Sequence, residues 1–169
     1  MNTVSIVFQN RSYAIEYVDF PATVAGRPPL VLLHEGLGCV AMWRDFPEKL
    51  AAATGCRVLA YSRPGYGASD PYPDRRQTDY MHREGRDILP AVLAALDVEQ
   101  PVLIGHSDGG SIALIFAGSY PAQLRAAVVM APHEFVEEET LAGIRAAREL
   151  WERTDWPKKL ARYHKHAAR

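Results

Sequence analysis

The sequence PVLIGHSDGGS, residues 101–111, runs from an apolar stretch through closely spaced glycines into a second apolar stretch. Its first part predicts a buried strand, and the small apolar residues of 111–120 predict a helix. Gly105 and Gly109 flank Ser107, and glycines at these positions remove side chains that would collide in a tight bend. The pattern therefore predicts a strained strand-to-helix turn that presents the Ser107 hydroxyl at the carboxyl end of the strand.

Strand-like and helix-like segments alternate on both sides of this turn. The predicted strands are 4–8 and 13–18, which form an opening hairpin, and the apolar runs 30–33, 57–61 and 126–130. The predicted helices before the turn are 46–54, with Gly55 as its C-terminal cap, and 88–96. Continuous apolar runs are typical of strands buried on both faces. The alternation predicts an α/β fold, with a mainly parallel sheet and helices on both faces.

The predicted turn at Ser107 leads into a helix and can therefore stabilise a negative charge, which a glycine-rich loop alone does not do. A helix that begins there directs its N-terminus at the site, so the backbone N–H of Asp108 can stabilise negative charge on a substrate oxygen. A second loop, residues 34–38, also follows a predicted strand, and the N–H of Gly36 or Leu37 is the candidate second donor. Taken singly, each loop is equally compatible with an ordinary turn without function.

The composition is that of a soluble globular protein. The 169 residues suit one compact domain, and 48% of them are hydrophobic, enough for a sizeable core. Nineteen basic and 20 acidic residues give a net charge of -1, so no overall field attracts nucleic acid or an anionic membrane. A small-molecule substrate is the favoured partner.

The sequence shows neither of the two features that would indicate secretion or membrane insertion. No basic and apolar leader opens the chain and no apolar stretch is long enough to span a bilayer, which favours a cytoplasmic location. Cys39 and Cys56 are too few for a disulfide framework and stand in no metal-ligand pattern. We expect both to be buried, and we expect no metal and no cofactor.

The chain resembles the α/β-hydrolase superfamily, specifically serine hydrolases with a cap domain, through three ordered segments. These are His34-Glu35-Gly36-Leu37-Gly38, Ser62-Arg63-Pro64-Gly65-Tyr66-Gly67-Ala68-Ser69 and residues 105–110. The resemblance implies that Ser107 is the nucleophile and that the middle segment braces the site. It also implies that residues 1–132 are the N-terminal part of the hydrolase core, and that 133–169 begin a helical cap that is incomplete.

The segment after Pro132 carries a helical pattern of its own. Leu141, Ile144 and Trp151 fall on one helix face. A second short helix is predicted from about Asp155, with Leu160 and Tyr163 directed inward.

In the family, the acid and the histidine of the catalytic triad lie beyond the cap, whereas this sequence ends inside it. His133 and Glu134 follow the strand-like run 126–130 and are the candidates for a pocket role or for a surrogate base and acid. The other histidines suggest less: His34 braces its loop, His106 projects away from the site, and His82, His164 and His166 lie on helix surfaces.

The resemblance favours a serine hydrolase acting on a small ester or related acyl substrate, with this fragment nearly inactive by itself. The alternatives are a noncatalytic binding or interaction module and a carbon-carbon bond hydrolase of ring-cleavage products. Strand 126–130 would lack a neighbour on one side, and an unpaired apolar edge invites association with a copy or with a C-terminal partner.

Overall fold

The computed structural model of this protein describes residues 2–72 and 76–166. The strands are β1 (Asn2–Phe8), β2 (Arg11–Phe20), β3 (Leu30–Leu33), β4 (Val58–Tyr61), β5 (Val102–His106) and β6 (Ala126–Met130). The α-helices are α1 (Phe46–Thr54), α2 (Tyr80–Arg83), α3 (Leu89–Ala95), α4 (Asp108–Ser119), α5 (Glu138–Arg153) and α6 (Trp156–Leu160). A π-helical turn, Glu84–Ile88, joins α2 to α3, and 3-10 turns cover Val40–Trp43 and Pro121–Gln123.

Within the described residues, the six strands form one sheet in the order β1-β2-β4-β3-β5-β6. β1, β2 and β4 pair in antiparallel fashion, whereas β4, β3, β5 and β6 pair in parallel. The predicted α/β class with a mainly parallel sheet is confirmed. The opening hairpin is longer than predicted because β2 pairs along β1 and then continues antiparallel to β4 as far as Phe20.

The parallel strands divide the core into two halves. In β3, Val31 and Leu33 pack on one sheet face with residues of α3 and α4. Leu30 and Leu32 pack on the opposite face with Ala51 of α1. Successive side chains of a strand point to opposite faces, so a run that is apolar throughout is buried on both sides. The carboxyl ends of the parallel strands rest on this two-sided core.

The prediction that residues 126–130 form a buried strand is half wrong. β6 is a strand, but it pairs only with β5 and is the last in the sheet. Val128 is 49% exposed and Met130 is 41% exposed. One face of β6 contacts α4, and no element in the described part of the chain covers its outer side.

Residues 133–166, here called the C-terminal helical segment, are hydrogen-bonded to the core through the turn that follows α6. Ile144 of α5 is 60% exposed, so the predicted apolar face of this helix is largely uncovered. Leu160 is buried as predicted, but Tyr163 is exposed. The prediction for Tyr163 is wrong because α6 ends at Leu160. Tyr163 lies outside the helix, so the helical periodicity does not determine where its side chain points.

In the described residues, 2–72 and 76–166, no helix combines the length and the apolar character needed to cross a membrane.

Candidate active site

Ser107 occupies the single residue between the end of β5 and the start of α4, with φ 53° and ψ -118°. A positive φ is unfavourable for a residue with a side chain, so this backbone is strained. The flanking glycines permit the bend. A Cβ on Gly109 would lie 2.0 Å from the carbonyl oxygen of Leu33, and a Cβ on Gly105 would lie 2.2 Å from the carbonyl oxygen of Gly109.

The sheet brings the end of β6 beside this bend. His106 and Met130 are register partners at the ends of β5 and β6, and the N–H of Ser107 donates to the carbonyl of Met130 at 2.8 Å. The residues that follow Met130 therefore pass next to Ser107. The imidazole Nε2 of His133 lies 3.0 Å from the Ser107 Oγ.

Ser111 fixes the backbone of His133. Its hydroxyl accepts from the His133 N–H at 2.7 Å and donates to the His133 carbonyl at 3.2 Å. Ser111 is buried and lies one helical turn after Ser107, on the same face of α4. Sequence reasoning missed this residue, although its i+4 spacing from Ser107 was a usable signal.

Glu134 is not brought into the site. It is exposed, and the described residues show no hydrogen bond or ion pair between it and Ser107 or His133. The backbone turns at Ala131, whose φ is 48°, and the chain then leads outward to α5.

Residues 34–38, the loop after β3, are held by hydrogen bonds from the side chains of His34 and Arg63. The Nδ1–H of His34 donates to the Glu35 carbonyl at 2.7 Å, and the Nη2 of Arg63 donates to the same oxygen at 2.8 Å. The Nε2 of His34 accepts from the Arg63 N–H at 3.0 Å. Burial, together with the charge of Arg63, holds the pKa of His34 well below its ordinary value, so this ring is neutral. His34 thus contributes hydrogen bonds to the loop, as the sequence predicted.

Three backbone N–H groups, two in the loop after β3 and one at the start of α4, have no acceptor among the described residues and can donate to a ligand. Those of Gly36, Leu37 and Asp108 make no hydrogen bond to any described residue, whereas that of Gly38 donates to the Glu35 carbonyl. Asp108 is the first residue of α4, where helix N–H groups have no partner within the helix. The predicted oxyanion donors are therefore unoccupied by the protein itself.

The side chain of Glu35 folds back over Gly38. A Cβ on Gly38 would lie 2.6 Å from the carboxyl group of Glu35. The Glu35 carboxyl group therefore lies against the backbone of its own loop.

The carboxylate of Asp108, the residue that follows Ser107, is buried. It accepts from the Tyr80 hydroxyl at 2.8 Å and lies 3.5 Å from the guanidinium of Arg63. Its other oxygen is 3.8 Å from the Nε2 of His133. A buried charge needs a partner, and Arg63 supplies the balancing charge. Sequence reasoning assigned Asp108 only a backbone role, because the contacts of its side chain come from distant segments.

Arg63 is fully buried, and its guanidinium interacts with several neighbouring groups. Its guanidinium lies 4.9 Å from the ring centroid of Tyr66, and the buried carboxyl of Glu84 is a second source of opposite charge. Burial raises the pKa of Glu84, while Arg63 acts in the opposite direction. The middle segment of the sequence therefore supports the site from beneath, as the resemblance implied.

His164 was expected on a helix surface, and that prediction is wrong. It is only 8% exposed and follows α6 in a turn that packs against the core. Its ring contacts the loops that contain Leu37 and Gly67. The pattern of helical spacing could not show this because the residue lies past the end of the helix.

Comparisons with known proteins identify the family of this chain. A family model described as alpha/beta hydrolase fold matches residues 28–166. A 2-hydroxy-6-oxononadienedioate/2-hydroxy-6-oxononatrienedioate hydrolase of Paraburkholderia phymatum is 32% identical over 141 residues, which are 79% of this chain and 48% of that protein. Serine hydrolase BPHL of Mus musculus is 37% identical over 98 residues, 56% of this chain and 33% of that protein.

A solved structure from a study of carboxylesterases of the thaumarchaeon Nitrososphaera gargenis superposes with a TM-score of 0.73 and 26% identity. The superposition covers 88% of this chain and 53% of that one. The chain thus spans about half the length of the relatives it matches, or less.

Proposed function

Because this chain belongs to the α/β-hydrolase fold family, we propose that it carries the nucleophile and oxyanion-binding part of a serine hydrolase that acts on a small ester or related acyl substrate. One observation carries the proposal. Ser107 is held at a positive φ of 53°, and its hydroxyl oxygen lies 3.0 Å from the Nε2 of His133. Strained backbone of this kind persists where the surrounding structure enforces it, and it is concentrated at catalytic sites.

The reaction follows from the positions of these groups. The Oγ of Ser107 forms a bond to the carbonyl carbon of the substrate, and its proton passes to the Nε2 of His133. The carbonyl oxygen becomes an oxyanion, which accepts from the Asp108 N–H and from that of Gly36 or Leu37. Collapse expels the alcohol, which takes the proton from His133. Water then bonds to the acyl carbon and loses a proton to the same imidazole. The bond between the acyl carbon and the Ser107 Oγ breaks, the Oγ takes that proton from His133, and the acid is released.

We propose that turnover by this chain alone is slow. An effective imidazole base is oriented by a carboxylate on its other ring nitrogen. In the described residues, the nearest carboxylate to His133 is that of Asp108, and it lies on the Nε2 side at 3.8 Å. Loss of the orienting acid in another serine hydrolase lowers turnover on the order of 10⁴-fold. In a longer protein with the family's own acid and histidine, His133 would line the pocket beside them.

The substrate class is favoured by a cavity beside the candidate oxyanion loop. It has a volume of about 120 Å³ and is lined by Leu37, Tyr66, Trp151, Leu160, His164 and Gly65. Its walls come from the core and from the C-terminal helical segment, which we propose is the start of a cap. The cavity is partly open and adjoins the loop through Leu37, and we propose that its aromatic and aliphatic walls accept a short acyl or alcohol group.

A fluorophosphonate probe tests the assignment, since it reacts only with an activated serine. We expect slow but measurable labelling of the wild-type chain, loss of labelling in Ser107→Ala, and unchanged labelling in Ser5→Ala, which removes an exposed hairpin hydroxyl. Hydrolysis of a short p-nitrophenyl ester should be slow but measurable and should follow the same pattern. An inert wild-type chain, or labelling that survives in Ser107→Ala, would contradict the proposal and favour a noncatalytic binding module.

A second candidate is hydrolysis of a carbon-carbon bond in a ring-cleavage product. The Paraburkholderia phymatum relative, 32% identical over 141 residues, is named for such an activity. The same attacking hydroxyl and oxyanion donors would serve, with a carbon leaving group. Parallel assays of a short ester and of a 2-hydroxy-6-oxo dienoate distinguish the two, because faster decay of the dienoate chromophore would favour this candidate.

A further inference from the structure

His164 is a buried imidazole that the proposed reaction does not use. Its Nε2–H donates to the carbonyl of Leu37 at 3.0 Å, and its Nδ1 accepts from the N–H of Gly67 at 2.9 Å. Its ring lies edge-on to the ring of Tyr66, with centroids 5.7 Å apart. One side chain of the C-terminal helical segment thus bridges two loops of the core.

The neighbouring backbone strengthens this bridge. The N–H of Lys165 donates to the carbonyl of Gly67 at 2.8 Å, so residues 164–165 and Gly67 are joined in both directions. The thiol of Cys39 lies 3.7 Å from the carbonyl of Tyr163. His164 is therefore positioned by several contacts rather than by a single flexible side chain.

The candidate oxyanion loop has little packing of its own. Gly36 has no side chain, and Leu37 is 41% exposed. Two carbonyl groups in the loop are held by imidazole N–H donors: that of Glu35 by His34, and that of Leu37 by His164. Because a peptide unit is planar, a fixed carbonyl also fixes the direction of the N–H that follows it. The Glu35 carbonyl shares its peptide unit with the N–H of Gly36, and the Leu37 carbonyl shares its own with the N–H of Gly38. The peptide unit that carries the N–H of Leu37 therefore lies between two units that imidazoles hold.

We propose that His164 is a positioning residue that holds the Leu37 carbonyl and thereby orients the oxyanion loop. The inference rests on the proposed function of Ser107 and deepens it. It makes the catalytic geometry depend on the docking of the C-terminal helical segment, which supplies the imidazole.

The bridge requires one neutral tautomer, with hydrogen on Nε2 and a lone pair on Nδ1. Protonation would place an N–H on Nδ1 against the N–H of Gly67. The titratable groups that influence the ring electrostatically are the carboxylates of Glu16 and Glu35 and the imidazole of His34, and Tyr66 packs edge-on against it. Burial lowers the pKa of His164 below its ordinary value and outweighs these carboxylates, which favours the neutral ring at physiological pH.

Three variants test the role. His164→Phe keeps the ring volume and removes both hydrogen bonds, whereas His164→Gln offers an amide oxygen to Gly67 and an amide N–H to Leu37. His82→Phe is the matched control on an exposed surface. Amide hydrogen exchange of residues 34–38 and Gly67 measures loop order without reference to activity, and fluorophosphonate labelling measures the reactivity of Ser107.

We expect His164→Phe to speed exchange in both loops by about tenfold and to slow labelling by about tenfold, because small displacements of catalytic groups carry large rate penalties. His164→Gln should restore both values to within about threefold of wild type. Unchanged loop exchange in His164→Phe would overturn the proposal. Faster exchange with undiminished labelling would overturn it as well, while leaving the role of Ser107 intact. Absence of labelling in the wild-type chain would instead contradict the proposed function.

If His164→Phe does not fold, the proposal is tested by comparing the pH dependence of loop exchange in wild type and in His164→Gln. Acidification from about pH 7.5 to about pH 4 favours the protonated imidazole, and because the pKa of His164 is lowered the change falls in the acid part of this range, whereas glutamine does not titrate. Exchange at Gly67, corrected for its intrinsic pH dependence, should rise more in wild type than in His164→Gln. Equal rises in the two proteins would overturn the proposal.

Discussion

The Nε2 of His133 lies 3.0 Å from the Oγ of Ser107, although 26 residues separate them in sequence. The two side chains meet because β5 and β6 are adjacent parallel strands whose carboxyl ends are in register at His106 and Met130. The hydroxyl of Ser111 holds the backbone of His133 at both its N–H and its carbonyl. The hydrogen bond is therefore supported by the sheet and by α4 together.

Replacement of His133 by alanine should slow fluorophosphonate labelling of Ser107. A positioned base contributes on the order of 10² to 10⁴ in rate, and the exposed position of His133 points to the lower part of that range. His82→Ala, on the exposed surface of α2, should leave the rate unchanged. Equal rates for His133→Ala and wild type would show that the Ser107 hydroxyl does not transfer its proton to this imidazole.

Gly109→Ala should prevent folding or cost more than about 3 kcal/mol of unfolding free energy. The added Cβ would lie 2.0 Å from the Leu33 carbonyl oxygen, and backbone on both sides leaves no flexible atom to move. Gly118→Ala, in the same helix, meets nothing within 4 Å and should be neutral or stabilising by up to about 1 kcal/mol. Urea denaturation of the two variants measures the difference. Comparable stabilities would show that the bend relaxes.

Stability should fall as the pH is lowered, in part because of His34 and His164. Burial lowers the pKa of both histidines in the folded protein, and Arg63 lowers that of His34 further. The unfolded chain protonates near the ordinary pKa of about 6.5, so below that pH it binds more protons than the folded chain. Their contribution is complete above about pH 6.5 and is lost as the pH falls toward the folded values.

Urea denaturation at about pH 7.5 and about pH 5.5 measures this loss, with His164→Gln for comparison. The variant should lose less stability than wild type, because it has one fewer buried histidine to protonate. The pKa of Glu84, raised by burial, acts in the opposite direction with pH, but it is common to both proteins and cancels in the difference. Identical losses would show that His164 does not titrate differently in the folded and unfolded chains.

The β6 edge should cause self-association. Val128 is 49% exposed on this terminal strand, whose outer backbone groups have no neighbour among the described strands. We propose that a second copy of the chain pairs there. Val128→Lys should shift the protein toward monomer in light scattering, since charged residues disfavour edge pairing. Val7→Lys, on the opposite edge strand, is the control. A monodisperse wild-type monomer would contradict the prediction.

Local sequence was sufficient for most of the strands, for α1 and for the bend, but it did not predict α2 or the π-helical turn Glu84–Ile88. The apolar run of β3, with side chains on both faces, predicted a strand inside a layered sheet, and this was confirmed. The glycines around Ser107 predicted the turn, because only residues without side chains fit so close to the backbone of Leu33 and Gly109. The hydrogen bonds of His34 to its loop also followed from position in sequence.

Tertiary structure alone decided which distant groups meet. The 3.0 Å contact of His133 with Ser107 depends on strand order and register. Burial of the Asp108 carboxylate beside Arg63 depends on three segments packing together, and the exposure of β6 depends on what lies beside it. His164 bonds to loops 97 residues and more away in the chain. Steric limits on a turn act between residues that are close in sequence, so the sequence alone can predict them. Contacts between distant segments depend on the free energy of packing the whole chain.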